Sequence, residues 1–237
     1  MSASAWLIVV AAGRGERLGA GTPKAFADLA GRPLFAYSLE AAAASDAFAK
    51  AVLVADPQLG WNPVAKLRPR ARALMAGVVE GGATRRESVR AGLAAVRREV
   101  GAEADPVVLV HDAARPFAPP ALFLRVATEA LTGAVICAHP ARDTMKEVRD
   151  DRVTATLPRR ALWQAQTPQG ASLSVFEKAH AAWPEPDSPD DAFLIEQLGA
   201  PVRVVPGPPI NFKITTAEDL ALAEAWARAG GVPWMAE

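Results

Sequence analysis

The chain of 237 residues has little of several things, and each shortage removes a class of explanation. Cys137 is its one cysteine, so no intrachain disulfide can form and a reducing compartment is expected. Cys137 lies in the apolar run Val135-Ile136-Cys137-Ala138, which suits a core side chain better than a nucleophile. Excess charge is absent: 26 basic residues balance 26 acidic ones, giving no whole-molecule attraction to nucleic acid or to a membrane surface. No Gly-Lys pair occurs, which excludes a Walker-type phosphate loop. Repeats, low-complexity tracts and linkers are lacking too, so a single domain over residues 1–237 is expected, with Pro184 to Pro189 a loop within it. The apolar run from Trp6 has no basic segment before it and is cut short by Arg14. It is expected to be a strand rather than a signal peptide or membrane span, in a cytoplasmic protein.

What the chain does have is 51% apolar residues, enough for a real core, arranged in a repeating order. Apolar runs at Trp6–Val10, Ala51–Ala55, Ala73–Val79, Val107–Val110 and Ala134–Ala138 read as strands, with helix-like segments between them. Continuous apolar strands alternating with helices predict a parallel sheet covered on both faces. Thr84-Arg85-Arg86-Glu87 has capping-box spacing, and Val89, Leu93, Val96 and Val100 follow at helical intervals before Gly101. Pro119 and Pro120 suit the first turn of another helix. A final helix is expected after Thr216, with Leu220 to Trp226 as its buried face. Between Arg142 and Gln166 two polar, β-branched runs flank Asp150-Asp151, the pattern of an extended hairpin with a polar tip. Such a hairpin is marginal alone, and docking on a second subunit would stabilise it. Arg97 and Arg98 read as solvated helix surface.

The most informative stretch follows the first strand: Ala11-Ala12-Gly13-Arg14-Gly15-Glu16-Arg17, with Pro23-Lys24 close behind. Glycines let the backbone approach a ligand and aim N–H groups at it, and Arg14, Arg17 and Lys24 complement anionic oxygens. A phosphate-rich ligand is expected at the carboxyl end of that strand. A dinucleotide fingerprint would need its third glycine at position 18, where Leu18 stands, and a helix opening at once. Here the helical pattern waits until Leu34. After the fourth run comes His111-Asp112-Ala113-Ala114-Arg115-Pro116, whose carboxylate and guanidinium can address hydroxyls and phosphate, or one another as a strand-end salt bridge. Gly81-Gly82, with Ser88 beyond, makes a second tight approach.

Taken in order, these motifs add up to a resemblance. Ala-Ala-Gly-x-Gly-x-Arg with Pro-Lys, His-Asp-Ala-Ala-Arg-Pro, Arg-Asp-Thr-Met-Lys, Leu-Trp-x-Ala-x-Thr-Pro-Gln and Lys-Ile-Thr-x-x-Glu-Asp-Leu run from about Leu7 to Trp226. Together they resemble the 2-C-methyl-D-erythritol 4-phosphate cytidylyltransferase family; the first motif alone is shared by many sugar-nucleotide pyrophosphorylases. The resemblance implies an α/β, Rossmann-like nucleotidyltransferase, with a mostly parallel twisted sheet, helices on both faces and a protruding β-hairpin arm at about 142–166. It implies CTP and 2-C-methyl-D-erythritol 4-phosphate as partners, Mg2+ or another divalent cation as cofactor, and a homodimer through the arm.

The resemblance also assigns roles. Arg17, Lys24, Arg159 and Lys213 are the implied catalytic residues, Arg160 competing with Arg159 on spacing. Ala11, Ala12, Gly13, Arg14, Gly15, Gly81, Gly82, Ser88 and Asp112 fall on the CTP side. Asp112, Arg115, Thr144, Arg159 and Lys213 would hold the alcohol phosphate, and Asp112 is a candidate metal ligand beside the CTP phosphates. Because Thr144 and Arg159 lie on the arm, each site is expected to be completed by the other subunit. The chain departs from the family pattern at Ala83, commonly Asp, and at Pro189, the first position of a common Thr-Asp-Glu-Ala run that here reads Pro189-Asp190-Asp191-Ala192. A cytidylyltransferase for another polyol phosphate such as ribitol 5-phosphate, and a nucleotide-binding regulator without turnover, are the alternatives.

Overall fold

A computed structural model describes residues 5–13, 23–56, 63–232 and 234. Its strands are β1 (Ala5–Val10), β2 (Asp28–Leu29), β3 (Arg32–Pro33), β4 (Phe48–Val54), β5 (Met75–Val79), β6 (Val107–Asp112), β7 (Val135–Pro140), β8 (Lys146–Arg149), β9 (Arg152–Thr156), β10 (Trp163–Ser172) and β11 (Arg203–Pro206). Its helices are α1 (Leu34–Ala44), α2 (Pro69–Leu74), α3 (Arg85–Val100), α4 (Pro120–Ala130), α5 (Leu173–Ala182), α6 (Asp191–Gln197) and α7 (Ala217–Arg228). Among the described residues none of these helices is long and apolar enough to cross a membrane.

Seven strands form one sheet in the order β11-β7-β10-β6-β1-β4-β5. The apolar runs are continuous because both faces of these strands are covered. Along β1, Leu7 and Val9 join the core under α1 and α4, while Trp6 and Ile8 join the core under α3 and α5. Leu109 and Val110 of β6 divide the same way. On the second face α3 lies unusually close to β1: a Cβ on Gly92 would sit 2.5 Å from Ile8 Cγ2, so only glycine permits this approach. β1 pairs in parallel with β4 on one side and β6 on the other. The chain therefore builds outward to β5, then crosses back to β6, and the carboxyl ends of β1 and β6 become the switch point where open α/β sheets bind ligands.

The sheet departs from all-parallel at β10, which is antiparallel to both β6 and β7. Neither β10 nor β11 is marked by an apolar run, since Gln166, Thr167 and Gln169 are buried polar residues of β10. The hairpin falls where expected, β8 pairing with β9 around Asp150 and Asp151, both at positive φ (48° and 59°) as a two-residue turn of type I′ demands. It is shorter than 142–166, however, because Trp163 onward belongs to the main sheet through pairing with β7.

Three other expectations need correction. The run 73–79 is not all strand: Ala73 and Leu74 end α2, and β5 begins at Met75, an ambiguity that a short apolar run leaves open. The last helix is capped as expected, Thr216 and Asp219 forming a reciprocal box, but its apolar side is not buried. Of α7 only Ala223 is buried, while Leu222 and Trp226 are 61% and 42% exposed, because α7 packs on a small satellite cluster with Leu29, Tyr37 and Phe117 rather than on the sheet. Arg97 is not merely solvated: it holds Glu177 of α5 through Nε (3.0 Å) and Nη2 (2.8 Å), and its Nη1 donates to the carbonyls of Gly101, Ala102 and Ala104 beyond the end of α3.

Candidate active site

A cavity of about 240 Å³ opens at the switch point. Its floor is the turn Ala11 to Gly13 after β1, one wall is Gly82 to Arg85 with Ser88, and the other side carries Lys24, Asp112 and Lys213. Local sequence dictates how these segments meet. Gly81 lets its loop lie against the first turn: a Cβ there would stand 2.2 Å from the Ala12 Cβ and 2.8 Å from Ser88 Oγ. Ser88 Oγ accepts from the Gly82 N–H (3.1 Å) and donates to the Thr84 carbonyl (3.0 Å), so the hydroxyl shapes the loop. Glu87 completes the shaping, its carboxylate accepting from the N–H groups of Ala83 (2.7 Å) and Thr84 (3.2 Å). The position where the family commonly has Asp is thus a small residue whose N–H is held by the helix cap.

Asp112 sits at the end of β6, where its own N–H donates to Thr167 Oγ1 (3.0 Å). Burial by itself would raise its pKa, but Arg85, at 3.0 Å from Oδ1, and Lys213, at 2.7 Å from Oδ2, hold it well below the usual carboxylate range. A carboxylate so held is a permanent anion and no proton acceptor at neutral pH. Beneath it His111 is fully buried, and desolvation pushes its pKa down to about 4. Nε2 lies 3.1 Å from the Arg115 carbonyl, which can only accept, so that nitrogen carries the proton and Nδ1 accepts from Thr167 Oγ1 at 3.1 Å.

The structure brings Ala11, Ala12, Gly13, Lys24, Gly82, Ser88, Asp112 and Lys213 to one cavity, with Gly81 immediately behind it. Arg14, Gly15 and Arg17 lie outside the described residues. Arg115 does not line the cavity; it donates to the carbonyls of Asn211 (2.8 Å) and Ala165 (3.2 Å), tying the segment before Lys213 to β10. Thr144 and Arg159 are exposed at the base of the arm, Arg159 donating to the Arg142 carbonyl at 2.5 Å, and neither lines the cavity of the single chain.

Two ionic residues escaped the motif-by-motif reading. Arg85 lines the cavity and bridges Asp112 to the wholly buried Asp191, reaching Asp191 Oδ2 at 2.8 Å. Burial opposes its charge, but the two carboxylates outweigh that and keep it protonated. A signal existed: Arg85 and Arg86 occupy the first two positions of α3, where the helix dipole disfavours cations, so each had to have another partner. Arg86 caps the far end of α5, donating to the carbonyls of His180, Trp183 (2.9 Å) and Glu185 (2.9 Å). Gln169 of β10 links the two regions, its Oε1 accepting from the N–H groups of Asp191 (3.1 Å) and Ala192 (2.8 Å).

Among the described residues no cluster of three or more His, Cys, Asp or Glu could hold a metal by itself. Asp112 is the one carboxylate among the described lining residues, and Mg2+ is usually bound by one or two carboxylates plus substrate phosphates. Both oxygens of Asp112 already hold Arg85 and Lys213, so a magnesium ion here would take most of its ligands from the triphosphate that brings it.

A glycine turn at the switch point of a mostly parallel sheet, with Lys24 and Lys213 on the same cavity, is the arrangement expected of a Rossmann-like nucleotidyltransferase. Comparison with known proteins narrows the class. A family model described as 2-C-methyl-D-erythritol 4-phosphate cytidylyltransferase (IspD) matches residues 5–229. The protein of that name from Frankia casuarinae is 46% identical over 92% of this chain and 79% of its own length. The one from Corynebacterium diphtheriae is 40% identical over 95% of this chain and 94% of its own. A bifunctional IspD/IspF enzyme from Solidesulfovibrio magneticus is 45% identical over 94% of this chain, which spans 58% of that protein. The crystal structure of the Thermus thermophilus cytidylyltransferase superposes with a TM-score of 0.76 at 35% identity, covering 96% of this chain and 100% of that one. The chain belongs to the 2-C-methyl-D-erythritol 4-phosphate cytidylyltransferase family. It is a CTP-dependent cytidylyltransferase of isoprenoid precursor synthesis, forming 4-diphosphocytidyl-2-C-methyl-D-erythritol.

Proposed function

We propose that CTP lies with its phosphates on the Ala11–Gly13 turn and Lys24 and its base toward Gly81 to Ser88, while the phosphate of methylerythritol phosphate approaches beside Lys213. The observation that carries this assignment is that Lys24 and the Asp112–Lys213 pair face one cavity, with a cation for each of two phosphate groups. Arg14, Gly15 and Arg17, outside the described residues, are assigned to the triphosphate by the family resemblance alone. A phosphate oxygen of the alcohol attacks the α-phosphorus of CTP, the bond to the bridging oxygen of the β-phosphate breaks, and pyrophosphate leaves with that electron pair. The attacking phosphate is already ionised at neutral pH, so no general base is needed, in keeping with an Asp112 that cannot take a proton. The residues' work is to press two polyanions together and to hold positive charge where negative charge redistributes. Mg2+, held chiefly by the CTP phosphates, would supply further neutralisation of the triphosphate.

Thr144 and Arg159 reach a cavity only in a dimer in this reading. The arm supports that: Val148 and Val153 are cross-strand neighbours, 55% and 61% exposed, and Met145, Leu157 and Trp163 are also exposed. A second copy of the chain is the natural cover for this apolar face, and the arm's partner would then receive Arg159. The location is proposed to be cytoplasmic, where CTP is available. The test is pyrophosphate release from CTP and Mg2+ with methylerythritol phosphate or ribitol 5-phosphate as acceptor. Release with the first and little with the second is expected; the reverse preference, or CTP binding without release for either, would overturn the assignment.

A further inference from the structure

We propose that Arg85 is a positioning residue that makes Lys213 available to the acceptor phosphate, by remaining as the cation of Asp112 when Lys213 turns away from it. The inference rests on the reading that Lys213 meets that phosphate. A line of alternating partners runs from the cavity into the core. Lys213 Nζ is 2.7 Å from Asp112 Oδ2, Arg85 Nε is 3.0 Å from Asp112 Oδ1, Arg85 Nη2 is 2.8 Å from Asp191 Oδ2, and His180 Nε2 donates to Asp191 Oδ1 at 3.2 Å. Exposure is greatest at the cavity end, 37% for the Lys213 side chain, against 10% for Asp112, 19% for Arg85 and none for Asp191. The lysine end is therefore free to move and the Asp191 end is fixed.

The fixed end is fixed several times over. Asp191 opens α6, its N–H is held by Gln169, and His180 of α5 takes its second oxygen. Arg85 is bound to it from the first turn of α3, so the guanidinium cannot follow Lys213. This matters because a buried carboxylate that loses its only cation is strongly destabilised. Were Lys213 the sole partner of Asp112, every approach of a phosphate to Lys213 would leave such a charge behind. Arg85 keeps one oxygen of Asp112 compensated throughout. Its Nη1 is buried without a partner among the described residues, on the same cavity wall, and leaves positive charge in reserve there. Only arginine can span both carboxylates; lysine offers a single point charge.

The test is steady-state kinetics of pyrophosphate release with CTP, Mg2+ and methylerythritol phosphate, together with CTP affinity by calorimetry. Arg85→Gln is expected to lower kcat/KM for the acceptor by about tenfold or more, chiefly through KM, with CTP affinity changed by less than about threefold. In an Asp112→Asn background, where no carboxylate grips Lys213, adding Arg85→Gln is expected to leave the acceptor KM within about threefold, whereas a role exerted only through Asp191 would raise it equally in both backgrounds. Should Arg85→Gln fail to fold, Arg85→Lys carries the same expectation at reduced size, since it keeps a cation but cannot bridge. Additive losses in the double variant, an unchanged acceptor KM, or a loss confined to CTP affinity would overturn the proposal. A wild-type enzyme that releases no pyrophosphate would instead overturn the assigned reaction, and the role of Lys213 with it.

Discussion

At the end of β6 the charges of Asp112, Arg85 and Lys213 meet at 3.0 Å or less and are mostly shielded from water. On the arm, Arg159 and Thr144 are exposed at the base, and the cross-strand pair Val148 and Val153 nearer the tip is more than half exposed. In the first region each of these three charges already has its counter-charge within the same chain. The second is polar at its tip and apolar on its flank, and finds few partners in its own chain. A single subunit therefore carries a finished half of the site, where CTP and its phosphates are proposed to lie, and an unfinished half that the proposed dimer would complete. Polar character alone does not tell a built site from an open one; the difference is whether each charge already has its counter-charge.

The comparison is broken most severely through the finished half. A charge pair near 4 Å is worth roughly 4 kcal/mol at an effective dielectric of 20. Lys24→Ala is therefore expected to slow pyrophosphate release by about two orders of magnitude or more while leaving the thermal transition nearly in place. Near-normal turnover in that variant would remove the finished half from the chemistry.

Acid should weaken the same region next. The pKa of His111 is depressed in the folded chain, from 6.5 to about 4, by burial. The unfolded chain therefore takes up its proton first as pH falls. The stability linked to His111 is whole above about pH 6.5, is lost as pH drops toward 4, and amounts to about 3 kcal/mol. Asp112 and Asp191, both held below the usual carboxylate range despite burial, add a further loss at still lower pH. Urea titrations at about pH 7.5, 5.5 and 4.5 would show the first decline, and a flat profile over that window would mean that His111 is not the neutral core residue described here.

The unfinished half is tested by mixing. Arg159→Ala and Lys213→Ala are each expected to lose activity by about tenfold or more. If Arg159 serves the partner's cavity, co-refolded mixtures of the two variants contain heterodimers with one intact site and recover activity that neither parent has. Absence of recovery, with heterodimers verified by mass, would place Arg159 in its own subunit's site. The smallest effect is expected at the arm tip. Asp151 has φ of 59°, a conformation that glycine adopts without strain, so Asp151→Gly should stabilise the hairpin by about 0.5 kcal/mol, read as slower amide exchange in β8 and β9. Faster exchange there would show that the aspartate side chain, not the turn geometry, holds the tip.

Much of this could be read from the residues in order. The runs at Trp6–Val10 and Val107–Val110 are strands because nothing but a two-sided burial accommodates so many consecutive apolar side chains. Asp150-Asp151 announced a turn, and Thr84 to Glu87 a helix start, because those signals are local. β10 was invisible for the opposite reason: Gln166, Thr167 and Gln169 are buried by what they hydrogen-bond, which no local pattern encodes. Leu222 and Trp226 misled because helical spacing says which side of a helix is apolar and not whether anything lies against it.

The amino-acid sequence by itself determined the alternation of strands and helices, the glycines at which the chain turns and approaches itself closely, and the identity of Lys24, Asp112 and Lys213 as the groups to watch, since backbone conformation and side-chain chemistry are properties of short segments. Only the tertiary structure decided that Asp112 is spoken for on both oxygens, that Arg85 reaches back to Asp191, that Arg115 serves two carbonyls, and that Thr144 and Arg159 stand apart from the cavity of their own chain. Those outcomes depend on distances between residues up to 106 positions apart, and the energy of a charge is set by what surrounds it in space.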